Sequence, residues 1–268
     1  MLAVLLVDLG IGLGLLGLLG MLRPVRRLGV PTRRRGALVF VVGLAVWIAG
    51  VFLPAPDRRA PTVVSRLDEV LTVWQFEERH ETRIHASPAT VEAAVRAVTA
   101  REIALFRLLT WLRSPRLPGT DAPESILAPP ADEPILAVAL RSGFQLVAEE
   151  PGRELVLGAV VLAPASLRAL PAAELERLRA EFTPEKFRAL SDPGFAKAAM
   201  NFRWTDEGNG WTRLTTETRI FATDPTAKRR FAAYWRLIYP GSSLIRHTWL
   251  AAIRRRAESA AGEPASGR

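Results

Sequence analysis

Two short stretches hold the residue types and spacings that chemistry needs. In TVWQFEERHETRI (residues 72–84), Glu78 and His80 stand two apart, so in a strand they share a face. An imidazole beside a carboxylate can exchange a proton or hold a polar ligand, and an apolar surround tunes both by desolvation. Trp74, Phe76, Thr82 and Ile84 fall on the same side, with Val73, Gln75, Glu77, Arg79, Glu81 and Arg83 on a solvated one. Two roles stay open for the pair. It supplies hydrogen-bonding or acid-base groups to a cavity, or it is a polar pair, either at the strand's exposed end or satisfied internally by Thr216 and Thr218.

The second stretch is GLGLLG (Gly12, Gly14, Gly17), a literal G-x-G-x-x-G. A working dinucleotide fingerprint joins a strand to a helix and is followed by an acidic residue about 20 positions on. Here only five residues separate Gly17 from Arg23, and the next acid is Asp57. The match is an accident of a glycine-rich apolar helix. Other chemistries find no anchor: there is no cysteine, the three histidines lack metal-ligand spacing, and no serine sits in G-x-S-x-G. No catalytic group, metal or cofactor is expected.

The elements that must position these residues begin with two apolar runs. Residues 2–22 carry one charge, Asp8, and at about 1.5 Å per residue span roughly the thickness of a hydrocarbon core. Residues 37–53 carry none and end at Pro54. A hairpin of transmembrane helices over 1–53 follows, with Gly10, Gly14 and Gly17 on one face as a helix-helix contact. The intervening RPVRRLGVPTRRR has six arginines and no acid, which places the loop in the cytoplasm and everything after residue 53 outside it. Of the net charge of +9, only +4 lies beyond residue 53. That balance, without a basic groove, argues against nucleic acid.

Residues 54–68, with three prolines, read as a tether, and 259–268 as a disordered tail. Between them about 190 residues suffice for one domain with its own core. After the 72–84 strand, Ser87 and Pro88 open a helix, and residues 101–113 read as a second before a proline-rich loop over 114–134. A strand pair follows over 143–150 and 153–163. A longer hairpin turns at DEGNG, placing Met200, Phe202, Trp204, Leu214, Thr216, Thr218 and Ile220 inward and Lys197, Asn201, Arg203, Arg213, Glu217 and Arg219 outward. Asp224 and Pro225 then start a long amphipathic helix or closely paired couple, interrupted at Pro240, with Ser242 or Ser243 as cap of the continuation. The inward apolar side chains serve as core or as pocket lining. His85 reads as a turn residue and His247 as solvated; Arg246, Arg254, Arg255 and Arg256 either meet anionic headgroups or form a solvated helix side.

This order, with ERHETRIHASPATVEAAV near its start and FRWTDEGNGWTRLTTETRI before the last helix, resembles the START-like, or SRPBCC, superfamily over residues 69–258. The resemblance implies an α+β helix-grip fold, a curved antiparallel sheet packed on a long C-terminal helix, enclosing a cavity that takes up apolar molecules. It makes Trp74, Phe76, Glu78, His80, Met200, Phe202, Trp204, Leu214, Thr216 and Thr218 the expected ligand-binding residues. The expected function is a membrane-anchored carrier of an apolar or lipid-like small molecule. A cyclase or isomerase with Glu78 and His80 as acid-base groups, and a purely structural membrane module, are the alternatives.

Overall fold

The structure is a computed structural model that describes residues 2–106, 108, 110 and 129–262. The chain divides into two compact units: residues 1–56 with 229–240, and residues 57–228 with 241–268.

The first unit holds two helices, α1 (Leu2–Leu22) and α2 (Arg33–Phe52). Both are long and apolar enough to cross a membrane by length and composition, with mean hydropathy of 2.4 and 2.1. α2 starts one turn earlier than its apolar run, because Thr32 caps it by accepting the Arg35 N–H at 3.3 Å. The helices approach through glycine. A Cβ on Gly10 would fall 2.5 Å from the Trp47 nitrogen, and one on Gly43 at 2.5 Å from that of Gly14. Gly36, Gly43 and Gly50 recur every seven residues, as do Gly10 and Gly17, the period that keeps a seam facing its partner. The glycine face of α1 therefore packs on α2 at Gly10 and Gly17, whereas the Cβ direction of Gly14 is open.

The second unit is built on a five-stranded antiparallel sheet. Its strands are β3 (Phe76–Ile84), β4 (Gln145–Glu150), β5 (Glu154–Leu162), β6 (Ala196–Gly208) and β7 (Trp211–Ala222), in the order β3-β7-β6-β5-β4. The β6–β7 turn follows from Gly208, Asn209 and Gly210, all at positive φ. α4 (Pro88–Ala97) follows β3, with Ser87 accepting the Thr90 N–H. α5 (Ile135–Arg141) precedes β4, and α6 (Ala165–Arg168), α7 (Ala172–Ala180) and α8 (Pro184–Ala189) bridge β5 to β6. The last helix, α9 (Pro225–Gly262), is continuous with Pro240 inside it. It runs past residue 259, where the tail was expected; residues 263–268 lie outside the described residues. Of the expected helix over 101–113, residues 107, 109 and 111–113 also lie outside them, and residues 100–102 form a 3-10 turn.

The expected tether over 54–68 carries two short elements. It supplies β1 (Arg58–Arg59), paired with β2 (Val73–Trp74), and α3 (Arg66–Val70) begins before its end. A reciprocal Ser65–Asp68 capping box closes the first turn of α3.

Both faces of the sheet are covered. Leu155, Leu157, Met200, Phe202, Trp204 and Leu214 pack with Val91 and Val95 of α4 and with Trp249 and Ile253 of α9. On the other face, Val156 and Ala199 pack with Leu67, Trp74, Val147 and Phe187. The alternation that predicted a solvated face for Lys197 and Asn201 misleads there, since both are buried. Their polar groups are satisfied internally. Asn201 donates to Glu154 at 2.7 Å, Glu154 accepts the Arg66 and Leu67 N–H groups at the start of α3, and the Lys197 ammonium donates to the Phe187 and Arg188 carbonyls at 3.0 and 2.7 Å. A polar pattern is compatible with burial where each group finds a partner.

Candidate functional site

Cross-strand register sets the site. Glu78 lies opposite Thr218 and, one strand further, Met200; His80 lies opposite Thr216 and Phe202; Thr82 lies opposite Leu214 and Trp204. One face thus runs from a polar edge at β3 to an apolar centre at β6. α9 matches it at helical spacing, with Ser242, Arg246, Trp249 and Ile253 on one side. Ser242 touches Glu78, Arg246 touches Thr218, and Trp249 meets Phe202 edge-on at 5.2 Å between ring centres.

The Glu78 carboxylate is buried, its side chain 1% exposed. One oxygen pairs with His80 Nε2 at 2.8 Å and the other accepts the Ser242 hydroxyl at 2.8 Å. His80, with 9% of its side chain exposed, also meets the His247 ring edge-on at 4.3 Å, and His247 Nδ1 lies 2.9 Å from the Ser243 carbonyl. Donation by Nε2 leaves Nδ1 of a neutral His80 as an acceptor. The serine donates to the carboxylate and not to an imidazole, so the three do not form a serine–histidine–carboxylate relay. Among the described residues no group of three His, Cys, Asp or Glu could hold a metal ion.

Of the expected site residues, Phe76, Glu78, Met200, Phe202, Trp204, Leu214, Thr216 and Thr218 are buried, and they share this face with His80. Thr216 does not serve the Glu78–His80 pair; its hydroxyl donates to the Asn201 carbonyl at 2.8 Å. Thr218 accepts from Arg246 at 3.2 Å. Trp74 is on the opposite face. The strand breaks at Gln75, whose buried side chain accepts the Ala222 N–H at 2.7 Å, and Trp74 therefore packs with Leu67 and Val156. There its indole donates to Glu77 at 2.6 Å and the Arg219 guanidinium stacks on its ring at 3.8 Å.

Sequence reasoning missed Ser242, read as a helix cap, and the approach of His247 to His80. Only the i, i+4, i+7 relation of Ser242 to Arg246 and Trp249 marks them as one face. The apolar centre is filled by side chains: Met200, Phe202, Trp204, Leu214 and Trp249 are each at most 4% exposed. Within it the Trp204 and Trp249 indole N–H groups are buried with no acceptor among the described residues. A separate depression of about 340 Å³ is lined by Ala100, Ile103, Phe106 and Leu108 and includes none of the site residues.

The other face holds a second polar set. Asp68 and Arg219 pair at 2.7 Å, both buried. Burial opposes ionisation of Asp68, but the Val64 N–H, Arg219 and Ser65 outweigh it and hold its carboxyl below the usual range. Burial pulls the Lys197 ammonium down.

No protein-family model and no curated protein matches the chain. Among solved structures, the crystal structure of TTHA0849 from Thermus thermophilus is similar at 14% identity, covering 70% of this chain and 100% of that one, with a TM-score of 0.27. An overlap that slight assigns neither fold nor function.

Proposed function

We propose that the chain is a two-pass, membrane-anchored binding module: a START-like, helix-grip domain that holds an apolar or amphipathic, lipid-like molecule between its sheet and C-terminal helix. The observation that carries this reading is the pair of buried indole N–H groups, Trp204 and Trp249, without acceptors among the described residues. A buried donor left unpaired costs about 1–3 kcal/mol. A guest with acceptor oxygens beside them removes that cost.

Three further features support it. The sheet order, with α4 after the first strand and α9 along the same face, is compatible with a helix grip. Glu78, His80, Ser242, Thr218 and Arg246 supply a polar end for an amphiphile's head. Pro240 lacks the N–H that would bond the Arg236 carbonyl, so the ladder of α9 misses one bond just before Ser242. The hairpin would hold the domain at the surface from which a lipid is taken, raising its local concentration. The arginine-rich loop favours a domain outside the cytoplasm; reporter fusions after Leu53 and at the C-terminus test this, and a cytoplasmic C-terminal reporter overturns it.

The filled apolar centre favours a second reading, a non-catalytic structural membrane module. Native mass spectrometry with lipid extraction on the detergent-purified full chain separates the two. A defined apolar or amphipathic species at one per chain supports the carrier. A chain that is empty and binds no apolar fluorescent probe supports the structural module.

A further inference from the structure

We propose that residues 229–240 of α9 form an in-plane contact with the bilayer interface, binding anionic phospholipid beside the two spanning helices. The inference rests on the membrane-anchoring reading above. Its geometry lies wholly within the unit that contains the hairpin.

The first ground is depth. The Arg236 guanidinium is buried and donates to the carbonyls of Val51 and Leu53. These are among the final carbonyls of α2, which have no partner within the helix and attract a cation through the helix dipole. The apolar run of α2 ends there, before Pro54 and Asp57. In a bilayer that point is the boundary between hydrocarbon and headgroups, so Arg236 fixes its own segment of α9 at headgroup depth.

The second ground is the face that the segment leaves outward. Arg230, Ala233, Tyr234 and Leu237 follow the i, i+3, i+4, i+7 spacing of one helix face, and all four are exposed, Leu237 by 63%. The opposite side is buried, with Phe231 stacked on Trp235 at 6.1 Å. A two-turn stripe led by leucine and tyrosine, with an arginine able to reach upward, suits the boundary of headgroup and acyl chain.

The third ground is charge. Residues 225–257 contain no carboxylate, while Arg229 and Arg230 open the segment. Near an anionic surface each such cation adds favourable attraction. A protein partner would not explain why the segment is tied to the end of a spanning helix.

The chain has no cysteine, so single labels are unambiguous. Leu237→Cys, Leu15→Cys and Glu174→Cys variants of the full chain would each carry a nitroxide in nanodiscs of equal phosphatidylcholine and phosphatidylglycerol. Collision with oxygen, which concentrates in lipid, is compared with collision with a water-soluble nickel chelate. The expected result is a several-fold oxygen preference at 237, lying between the values at 15 and 174 and declining when phosphatidylglycerol is omitted. A lipid-exposed label at 15 with one at 237 that matches 174, or that is shielded from both reagents, overturns the inference and leaves the anchor intact. A water-exposed label at 15 overturns both.

Discussion

Ser242 donates its hydroxyl to Glu78 at 2.8 Å across 164 residues of chain, joining the first strand of the sheet to the last helix. The bond satisfies the carboxylate oxygen that His80 leaves open. Ser242→Ala should therefore cost about 1–3 kcal/mol, the range for leaving a buried acceptor unsatisfied. Glu78→Ala, which strips a partner from both His80 and Ser242, should cost more, and the double variant should cost less than the sum. Tryptophan-fluorescence melting of the full chain in detergent checks all three, and strict additivity would refute the coupling.

Trp249→Phe removes one unpaired indole N–H while keeping the edge-on contact with Phe202. If a guest accepts from that donor, the variant should retain it about 5- to 10-fold less well, the worth of one hydrogen bond at about 1–1.4 kcal/mol. The empty protein should be no less stable than the parent apart from lost packing. Ligand yield by mass spectrometry and melting of the delipidated chain read the two effects separately.

Much of the fold was legible because it follows from periodicity. Alternation gave the faces of β6 and β7, Ser87 and Asp224 marked helix starts, and the charge-free run gave α2 to within a turn. What escaped depended on partners distant in sequence. The break at Gln75, which turns Trp74 to the other face, is stabilised by the Ala222 backbone, and nothing local to residues 72–76 announces it. The burial of Lys197 and Asn201 depends on α3 and α8 covering a face whose pattern reads as solvated. Ser242 looked like a cap because helix-start chemistry and hydrogen bonding to a carboxylate use the same hydroxyl.

Asp68 should dominate the acid sensitivity of the sheet's second face. Its carboxyl is held below the usual range in the fold, so the folded state binds fewer protons than the unfolded one near the ordinary carboxylate pKa. The stability it contributes is fully present above the unfolded value and is lost as pH falls through the folded one. Asp68→Asn leaves Arg219 buried with Glu217 and the Trp74 ring in place of a second carboxylate and should cost up to about 3–5 kcal/mol at neutral pH. The difference from the parent should shrink as pH drops below about 4. A parent and variant whose melting profiles stay parallel into acid would contradict this.

Lys197 should act at the alkaline end. Burial lowers its pKa in the fold, so as pH rises past the folded value the native state sheds a proton that the unfolded chain keeps. Stability should then climb with pH until the unfolded lysine also titrates, at about 10.4. Lys197→Met should abolish that climb. At neutral pH the same variant loses two bonds to the Phe187 and Arg188 carbonyls, so it should melt lower there even though a buried charge has been removed. Denaturant unfolding between pH 7 and 10 measures both, and an unchanged slope in the variant would assign the alkaline dependence elsewhere.

The hairpin seam makes a prediction that separates glycine's two uses. The three atoms nearest a Cβ on Gly43 are all backbone, the Gly14 nitrogen, the Gly10 carbonyl oxygen and the Leu13 carbonyl carbon, between 2.5 and 2.9 Å. Backbone cannot rotate aside as a side-chain tip can, so Gly43→Val must push the helices apart, at about 1–3 kcal/mol for overpacking. Gly12, in the other apolar helix, has nothing within 4 Å of its Cβ direction, and Gly12→Val should be tolerated. Nitroxides at Leu9→Cys and Ile48→Cys, read by pulsed electron resonance, should show a longer separation with Gly43→Val and an unchanged one with Gly12→Val. The contrast matters because both glycines sit inside apolar spanning helices and look alike by composition, and only the seven-residue spacing of the seam tells which of them the fold requires.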